Sequence, residues 1–295
     1  MSKQIVFRGA ATALVTPLTP AGVDYDALGR LIDWQIGQGI DALVIAGTTG
    51  EGSTLTYDEH QEVIRYSVER AAGRVPIIAG SGSNDTNRAI TLSRFSCDAG
   101  ADALLVVTPY YNKATQNGLI AMYTAIADAV DRPIILYNVP SRTGVNIEPA
   151  TYAALADHPN IVGIKEANGN ISKIVETARL VGDRLAIYSG NDDQVVPILS
   201  MGGSGVISVL SNVMPAQTAM MCRKYFEGDV AGAAKLQMDY LPLINALFSE
   251  VNPIPVKAAM AAMGWCENYL RLPLTPMEDA HWQKLKAIME GHGLI

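Results

Sequence analysis

The amino-acid sequence predicts an α/β protein, a closed (β/α)8 TIM barrel followed by a C-terminal helical extension. Three observations lead to this fold class. Eight short apolar runs alternate with eight amphipathic stretches between residues 9 and 226. Turn-forming residues bound most of the runs, which is typical of strands buried in a parallel sheet. After residue 228 the strand pattern ends, and helical periodicity continues towards the carboxyl terminus.

Taken in order, the apolar runs predict strands at 13–15, 42–45, 76–79, 104–107, 133–136, 161–164, 185–188 and 205–208. The amphipathic stretches predict helices at about 25–36, 58–71, 85–98, 116–130, 149–156 and 172–181, one ending at 201 and one ending near 226. Strands that alternate with helices form parallel sheets with right-handed crossovers. Eight such units favour a closed barrel, and an open doubly wound sheet is the alternative.

Beyond residue 228 the sequence predicts helices at 230–248, 255–263 and 277–291, in segments rich in Ala, Met and Leu. These residue types are good helix formers. We therefore divide the chain into a catalytic barrel, residues 1–228, and a C-terminal helical region, residues 229–295. The second part is expected to pack against the barrel or at a subunit contact.

Composition excludes several classes of protein. The formal net charge is −7 and there is no basic cluster, which argues against nucleic acid or an anionic membrane as partner. No apolar run approaches the roughly 18 residues that span a bilayer, and the amino terminus lacks a secretion-signal pattern. Three widely spaced cysteines predict reduced thiols in a cytoplasmic protein, and the four histidines form no metal motif.

Lys165 is the residue around which the predicted chemistry is organised. It follows the apolar run 161–164 directly, so it lies at the carboxyl end of a predicted strand. Burial disfavours an ammonium and lowers the pKa of a lysine, and a neutral amine can condense with a ketone to form a Schiff base. The alternative is a strand-end lysine that pairs with Glu166 at the surface.

Other polar residues follow neighbouring predicted strands and should share one mouth of the barrel with Lys165. Tyr137 can transfer protons, and the hydroxyl of Thr48 can both receive and donate them. The Gly-Thr-Thr-Gly segment that contains Thr48 and Thr49 offers backbone amides ahead of a helix, suited to a carboxylate. Arg142 can hold a second carboxylate with a two-pronged guanidinium. Singly, each has a structural alternative: a cap, a strand-end aromatic residue or a surface ion pair.

The segment GGSGVIS at 202–208 is similar to glycine-rich phosphate loops of some barrels. No lysine or arginine lies nearby, so a tight turn from helix to strand is the favoured interpretation.

The motifs GTTGE, TPYYN, YNVPSRTG, GIKEA, SGND and NPIPVK occur in this order and resemble the dihydrodipicolinate synthase family over nearly the whole chain. YNVP and GIKE alone mark the wider family of pyruvate-dependent Schiff-base aldolases and lyases, which includes N-acetylneuraminate lyase. The resemblance implies condensation of pyruvate with L-aspartate 4-semialdehyde, towards diaminopimelate and lysine. It also implies a homotetramer built from two tight dimers, with neither an organic cofactor nor a catalytic metal.

The resemblance further implies roles for individual residues. Lys165 forms the imine, while Tyr137, Thr48 and Tyr111 form a proton relay in which Tyr111 reaches the neighbouring subunit's site. The substrate-binding residues are Thr49 with Thr48 for pyruvate, Arg142 for the semialdehyde, and the carbonyls of Gly190 and Ile207.

Relatives that lysine inhibits carry an effector cleft at the tight dimer interface. In this chain the residues that match that cleft are His60, Asn84 and Tyr110. Arg88 stands where inhibited relatives have a glutamate, and Tyr57 replaces a common histidine. A cation should repel the ammonium groups of lysine, so weak or absent feedback inhibition is expected.

Two other functions remain open from the sequence. A sugar-acid aldolase would share Lys165 and Tyr137 but would need polyol-binding residues instead of Arg142. A non-catalytic small-molecule sensor could retain the pocket, although it would not need the imine lysine.

Overall fold

Eight parallel strands close into a barrel in the computed structural model, which describes residues 5–295. The strand order is β1, β10, β9, β8, β7, β6, β5, β4, and hydrogen bonds from β4 back to β1 complete the ring. The barrel strands are β1 (Gly9–Ala13), β4 (Ala42–Ile45), β5 (Ile77–Gly80), β6 (Ala103–Val107), β7 (Ile134–Asn138), β8 (Ile161–Glu166), β9 (Ala186–Ser189) and β10 (Gly205–Ser208). A two-stranded antiparallel sheet, β2 (Leu18–Thr19) and β3 (Gly22–Val23), lies after β1. The closed barrel is confirmed, and the open sheet is excluded.

The helices connect and surround the strands. They are α1 (Tyr25–Gly37), α2 (Tyr57–Ala71), α3 (Thr86–Asp98), α4 (Gln116–Asp128), α5 (Pro140–Thr143), α6 (Pro149–Leu155), α7 (Ile171–Val181), α8 (Val195–Ser200), α9 (Pro215–Phe226), α10 (Val230–Asp239), α11 (Leu241–Leu247), α12 (Ile254–Ala262) and α13 (Asp279–Gly291). Short 3₁₀ turns occupy Gly182–Arg184, Asp192–Gln194 and Leu210–Asn212. Between residues 5 and 295 no helix combines the length and the apolar character needed to cross a bilayer.

For several helices, the side chain of the preceding residue determines where the helix begins. Thr56 accepts a hydrogen bond from the amide of Glu59, and the Glu59 carboxylate accepts one from the amide of Thr56. This reciprocal capping satisfies amides that would otherwise lack a partner in the first turn of α2. Asp24, Asp85 and Thr115 cap α1, α3 and α4 with their side-chain oxygens. The predicted helix starts therefore lie within a residue or two of the observed ones.

The first strand was predicted at 13–15, and this position is wrong. The strand is Gly9–Ala13, made of small residues that carry little apolar signal. Small residues are required here because β10 approaches very closely: a Cβ on Gly205 would lie 1.8 Å from the carbonyl oxygen of Gly9. That close approach also explains a glycine in the GGSGVIS segment, in accord with the predicted tight turn.

The predicted single helix at 230–248 is two helices, α10 and α11, which meet at Tyr240. Pro242 lies in the first turn of α11 and has no amide hydrogen. Inside a continuous helix its ring would clash with the carbonyl four residues earlier, so the helix breaks before it.

Two apolar layers lie on either side of the strands. The inner layer fills the barrel with residues such as Val44, Ile78, Leu105, Ile135 and Ile207, and the outer layer joins the strands to the helices. Because neighbouring residues of a strand point to opposite faces, each strand contributes to both layers. The inner layer reaches Tyr137 towards the carboxyl ends of the strands, where the polar residues begin.

Candidate active site

Lys165 lies in β8 and faces the inside of the barrel. The side chain is buried, with 5% of the residue exposed, and its Nζ lies 4.3 Å from the centre of the Tyr137 ring. Burial lowers the pKa of Lys165 to about 7, the charge of Asp192 raises it, and the charge of Arg142 lowers it. A pKa near neutrality gives a large fraction of free amine at physiological pH. The predicted depression of the lysine pKa is therefore confirmed.

Glu166 is not the surface partner of Lys165, so that alternative is wrong. It points to the opposite face of β8 and is buried. Its carboxylate accepts hydrogen bonds from the hydroxyl of Tyr152, the side-chain amide of Asn138 and the backbone amide of Asn168. Burial raises the pKa of Glu166 to about 7. The glutamate thus binds its partners on the outer face of β8, and among residues 5–295 the amine of Lys165 has no carboxylate partner.

Tyr137 lies beside Lys165 because β7 and β8 are hydrogen-bonded neighbours with these two residues in register. Burial raises the pKa of Tyr137, whereas the charge of Arg142 and the neighbouring side chain of Thr48 lower it. The phenol is therefore protonated near neutral pH and lies near a second hydroxyl that can take part in proton transfer. Three of the predicted catalytic residues thus form a continuous group.

The segment Gly47–Gly50 forms a sharp turn after β4, and it does not lead directly into a helix as the sequence predicts. The amides of Glu51 and Gly52 donate within the turn, to the carbonyls of Thr48 and Gly47. The amides of Thr48 and Thr49 donate to no acceptor among residues 5–295. They do not open a helix, since α2 begins only at Tyr57. The two free amides, rather than a helix terminus, are what this turn offers to a carboxylate.

Arg142 lies in α5, on the rim of the mouth, and is exposed. One guanidinium nitrogen donates to the carbonyl oxygen of Asn252 at 3.0 Å. Within the described part of the chain Arg142 has no carboxylate partner, so the alternative of a surface ion pair is not observed. The remaining donors of the guanidinium are free to bind an anion at the entrance.

Gly190 and Ile207 lie at the ends of β9 and β10. The amide of Gly190 donates to the carbonyl of Glu166 at 2.7 Å, and a Cβ at this position would lie 2.8 Å from the Cβ of Ala167. A larger residue would push β9 away from the end of β8. Ile207 is buried on the inner face of the barrel. Their predicted contacts with substrate stay predictions.

Tyr111 is separated from the other predicted relay residues. It is 93% exposed and adopts a left-handed backbone conformation with φ 71°. A bulky residue with positive φ is uncommon and indicates a loop held in a defined shape. Within this chain the tyrosine projects into solvent rather than toward Lys165.

A cavity of about 330 Å³ is lined by residues from both the predicted active site and the predicted effector cleft, although Lys165 is not among them. Its lining includes Thr48, Tyr137 and Arg142, as well as His60, Arg88 and Tyr110. His60 is buried, and its Nε2 donates to the carbonyl oxygen of Gly80 at 2.8 Å. Burial lowers the pKa of His60, and the charge of Arg88 lowers it further.

The remaining cleft residue is held by a neighbouring loop. The side-chain amide of Asn84 donates to the backbone carbonyl oxygen of Tyr110 at 3.2 Å. The backbone carbonyl of Asn84 accepts from the side-chain amide of Asn112. The cleft residues are thus close together, and the effector role stays a prediction.

Sequence reasoning missed four buried polar residues near the site. Asp192 acts electrostatically on Lys165, and its Oδ2 accepts from the amides of two residues that follow β10. Asn252 contacts Thr49 and Arg142. Lys257 and Glu51 form a buried ion pair between α12 and the turn after β4. Their only sequence signal is their presence in SGND, NPIPVK and GTTGE, three of the motifs that carry the family resemblance.

The three cysteines, Cys97, Cys222 and Cys266, are free thiols, as predicted. Among the histidines, His281 lies beside Glu250 and Glu278, with potential ligand atoms within 4.8 Å of one another. The sequence spacing gave no sign of this group. The Glu250 carboxylate already accepts from the amide of Glu278 and is hydrogen-bonded to the ring of His281.

Comparison with known proteins identifies the relatives of this chain. The profile of the dihydrodipicolinate synthetase family matches residues 6–292. A 4-hydroxy-tetrahydrodipicolinate synthase of Lachnoclostridium phytofermentans is 56% identical over 98% of this chain and 99% of its own. A chloride-inhibited dihydrodipicolinate synthase of Acinetobacter baumannii, solved with pyruvate, is 43% identical with a TM-score of 0.96, covering 98% of this chain and 99% of its own.

A third relative is the dihydrodipicolinate synthase of Cyanidioschyzon merolae, solved with lysine bound. It is 41% identical, with a TM-score of 0.95, and the match covers 99% of this chain and all of the other. Profile, sequence and structure thus agree over almost the whole length. The chain belongs to the dihydrodipicolinate synthetase family.

Proposed function

We propose that this chain condenses pyruvate with L-aspartate 4-semialdehyde, through a Schiff base on Lys165, to give 4-hydroxy-tetrahydrodipicolinate for lysine and diaminopimelate biosynthesis. The observation that carries the proposal is the buried lysine Lys165, whose amine has a pKa of about 7, lies beside the ring of Tyr137 and has no carboxylate partner among residues 5–295. Family membership and the pyruvate complex of a relative support the same reaction.

The first step forms the imine. The neutral amine of Lys165 attacks C2 of pyruvate, and a proton moves from nitrogen to the developing hydroxyl. The phenol of Tyr137, beside Thr48, then protonates that hydroxyl, which leaves as water. The free amides of Thr48 and Thr49 hold the pyruvate carboxylate while C2 reacts.

The second step joins the two substrates. The phenolate left on Tyr137 takes a proton from C3, which converts the iminium into an enamine. C3 then attacks the aldehyde carbon of the semialdehyde, and the resulting alkoxide takes the proton back from Tyr137 to become the 4-hydroxyl group. The exposed guanidinium of Arg142 binds the carboxylate of the incoming semialdehyde at the rim. The amino group of that substrate then attacks C2 and displaces Lys165, which closes the ring and regenerates the amine. No organic cofactor enters this sequence, because the iminium itself stabilises the carbanion.

We further propose that two copies of the chain form a tight dimer, and two dimers a homotetramer, in the cytoplasm. The exposure of Tyr111, in a constrained left-handed conformation, supports a role in a neighbouring subunit's relay. Light scattering on the purified protein measures the assembly. Mixing Tyr111→Phe with Lys165→Ala subunits tests the sharing, since mixed dimers should regain activity that neither variant has alone.

Borohydride trapping tests the chemistry directly. Borohydride with pyruvate should fix a reduced adduct on Lys165, and Lys165→Ala should abolish it and lower turnover by several orders of magnitude. Lys257 serves as an internal control, because it is also buried but its amine is bound to Glu51 and to the carbonyl of Tyr269. Peptide mapping should find the adduct on Lys165 and not on Lys257.

Assays with different aldehydes separate the competing functions. Turnover with pyruvate and aspartate semialdehyde supports the synthase, whereas turnover only with sugar aldehydes would assign the sugar-acid aldolase. Absence of any pyruvate adduct would contradict the imine mechanism and favour a sensor.

A further inference from the structure

Asn252 lies between α11 and α12 and contacts two residues on opposite sides of the proposed substrate site. Its residue is 5% exposed. The side-chain Nδ2 donates to Oγ1 of Thr49 at 2.9 Å, and the backbone carbonyl accepts from Arg142 at 3.0 Å. One residue therefore connects the group proposed for the pyruvate carboxylate with the group proposed for the semialdehyde carboxylate. Its side chain binds Thr49, and its main-chain carbonyl binds Arg142.

The hydrogen bond from Asn252 determines which way the hydroxyl of Thr49 can act. A threonine hydroxyl has one hydrogen and accepts through its lone pairs. With Nδ2 of Asn252 donating to Oγ1, the hydroxyl hydrogen must point away from Asn252. Across the described residues it has no protein acceptor. An ionised carboxylate only accepts hydrogen bonds, so a hydroxyl held in this sense is matched to one.

The single oxygen of this amide, Oδ1, is turned away from Thr49 when Nδ2 donates to it. Oδ1 of Asn252 is buried and has no hydrogen-bond partner among residues 5–295. A buried amide oxygen without a partner is unfavourable, and structures retain such groups where they have a role. Turning the amide over would place Oδ1 against Thr49, draw the hydroxyl hydrogen toward Asn252 and present a lone pair to the carboxylate.

The segment that carries Asn252 is held firmly against the turn after β4. The amine of Lys257, in the first part of α12, binds the carboxylate of Glu51, and both side chains are fully buried. The same amine donates to the carbonyl of Tyr269 at 2.6 Å. Glu51 lies two residues after Thr49, so the ion pair fixes the turn and Asn252 relative to each other.

We propose that Asn252 is a positioning residue for pyruvate: its side-chain amide holds the Thr49 hydroxyl as a donor toward the substrate carboxylate, while its carbonyl orients Arg142. This inference rests on the proposed function, and it adds to it the residue Asn252 and the direction of the hydrogen bond from Thr49. The C-terminal helical region thereby contributes to substrate recognition through Thr49 and Arg142.

Substitutions of the Asn252 side chain should change the KM for pyruvate more than the KM for the semialdehyde. Asn252→Asp replaces the donor with an acceptor, and it should raise the KM for pyruvate about ten- to a hundred-fold, as expected when a hydrogen bond to a charged group is lost. Asn252→Ala, which removes the donor without adding an acceptor, should raise it by about a few-fold. The KM for the semialdehyde should change little in Asn252→Ala, because the carbonyl that holds Arg142 remains.

Two controls test whether the effect of Asn252 depends on its position and passes through the Thr49 hydroxyl. Asn245→Asp adds the same charge on the exposed surface of α11 and should leave both KM values unchanged. In a Thr49→Val background, Asn252→Ala should have no further effect on pyruvate, because coupled residues are not additive. Thermal unfolding of each variant verifies that it is folded. If Asn252→Asp does not fold, the Asn252→Ala comparison decides.

The outcomes distinguish this inference from the proposed function. If wild-type protein forms the pyruvate adduct and Asn252→Ala raises both KM values equally, or Asn252→Asp keeps the wild-type KM for pyruvate, the inference is overturned alone. If the wild type forms no adduct, the proposed function fails and this inference fails with it. A selective rise for pyruvate that disappears in the Thr49→Val background supports it.

Discussion

The pH dependence of imine formation is the most direct consequence of the buried environment of Lys165. An amine with the ordinary pKa of 10.5 is neutral in about one molecule in 3000 at pH 7, whereas one with a pKa of about 7 is neutral in about half. That difference corresponds to about 5 kcal/mol in favour of the neutral form. Desolvation is its largest cause, so the effect belongs to the folded barrel and not to the local sequence.

Rapid-quench trapping measures the relevant step. Excess pyruvate is mixed with enzyme between about pH 5 and pH 10, and borohydride is added at short times. The rate constant for adduct formation should rise as pH passes through about 7 and then level off, because only the neutral amine attacks. An inflection near the ordinary lysine value would refute the account of a desolvated amine.

Two variants should move the inflection in opposite directions. Arg142 lowers the pKa of Lys165 and Asp192 raises it. Arg142→Gln should therefore shift the inflection to higher pH, and Asp192→Asn should shift it to lower pH. Shifts of the same sign, or no shift in either variant, would show that these charges do not act on the amine.

Four further predictions concern stability, binding and regulation. Lys165 has a lower pKa in the folded than in the unfolded protein, so its destabilising effect is full below about pH 7 and is lost as the pH rises toward 10.5. Lys165→Met should therefore increase the free energy of unfolding at pH 7 by up to about 4 kcal/mol. Denaturant titrations measure this change, and no increase would contradict the prediction. Lys257→Met should destabilise by about 3–5 kcal/mol, since it leaves Glu51 buried and unpaired, and adding Glu51→Gln should restore much of the loss. Arg142→Ala should raise the KM for the semialdehyde far more than that for pyruvate, by a factor equivalent to about 1.5–3 kcal/mol, and equal effects would count against its assignment. L-lysine should inhibit weakly or not at all, because the Arg88 charge opposes its ammonium groups by about 1.5–3 kcal/mol after screening; Arg88→Glu should increase sensitivity, and half-inhibition of the wild type by sub-millimolar lysine would contradict this.

The sequence by itself determined the barrel and the main chemical residue. Strand and helix periodicity is a local property, so eight alternating units could be counted directly, and the strand-end position of Lys165 followed from the run before it. The same logic failed where the local signal was weak. β1 consists of small residues, and its strand character comes from pairing with β10 and β4 rather than from its own apolarity.

Only the tertiary structure decided how the site is supported. Asn252 meets Thr49 across 203 positions of the chain, and Lys257 meets Glu51 across 206. No periodic pattern reports such contacts, because they depend on how the C-terminal helices pack against the mouth of the closed barrel. Burial is decided in the same way: Glu166 and Lys165 are adjacent in sequence, yet barrel closure places them in two separate interiors with different partners. The pKa values that make the amine reactive arise from that packing and could not be assigned before it was known.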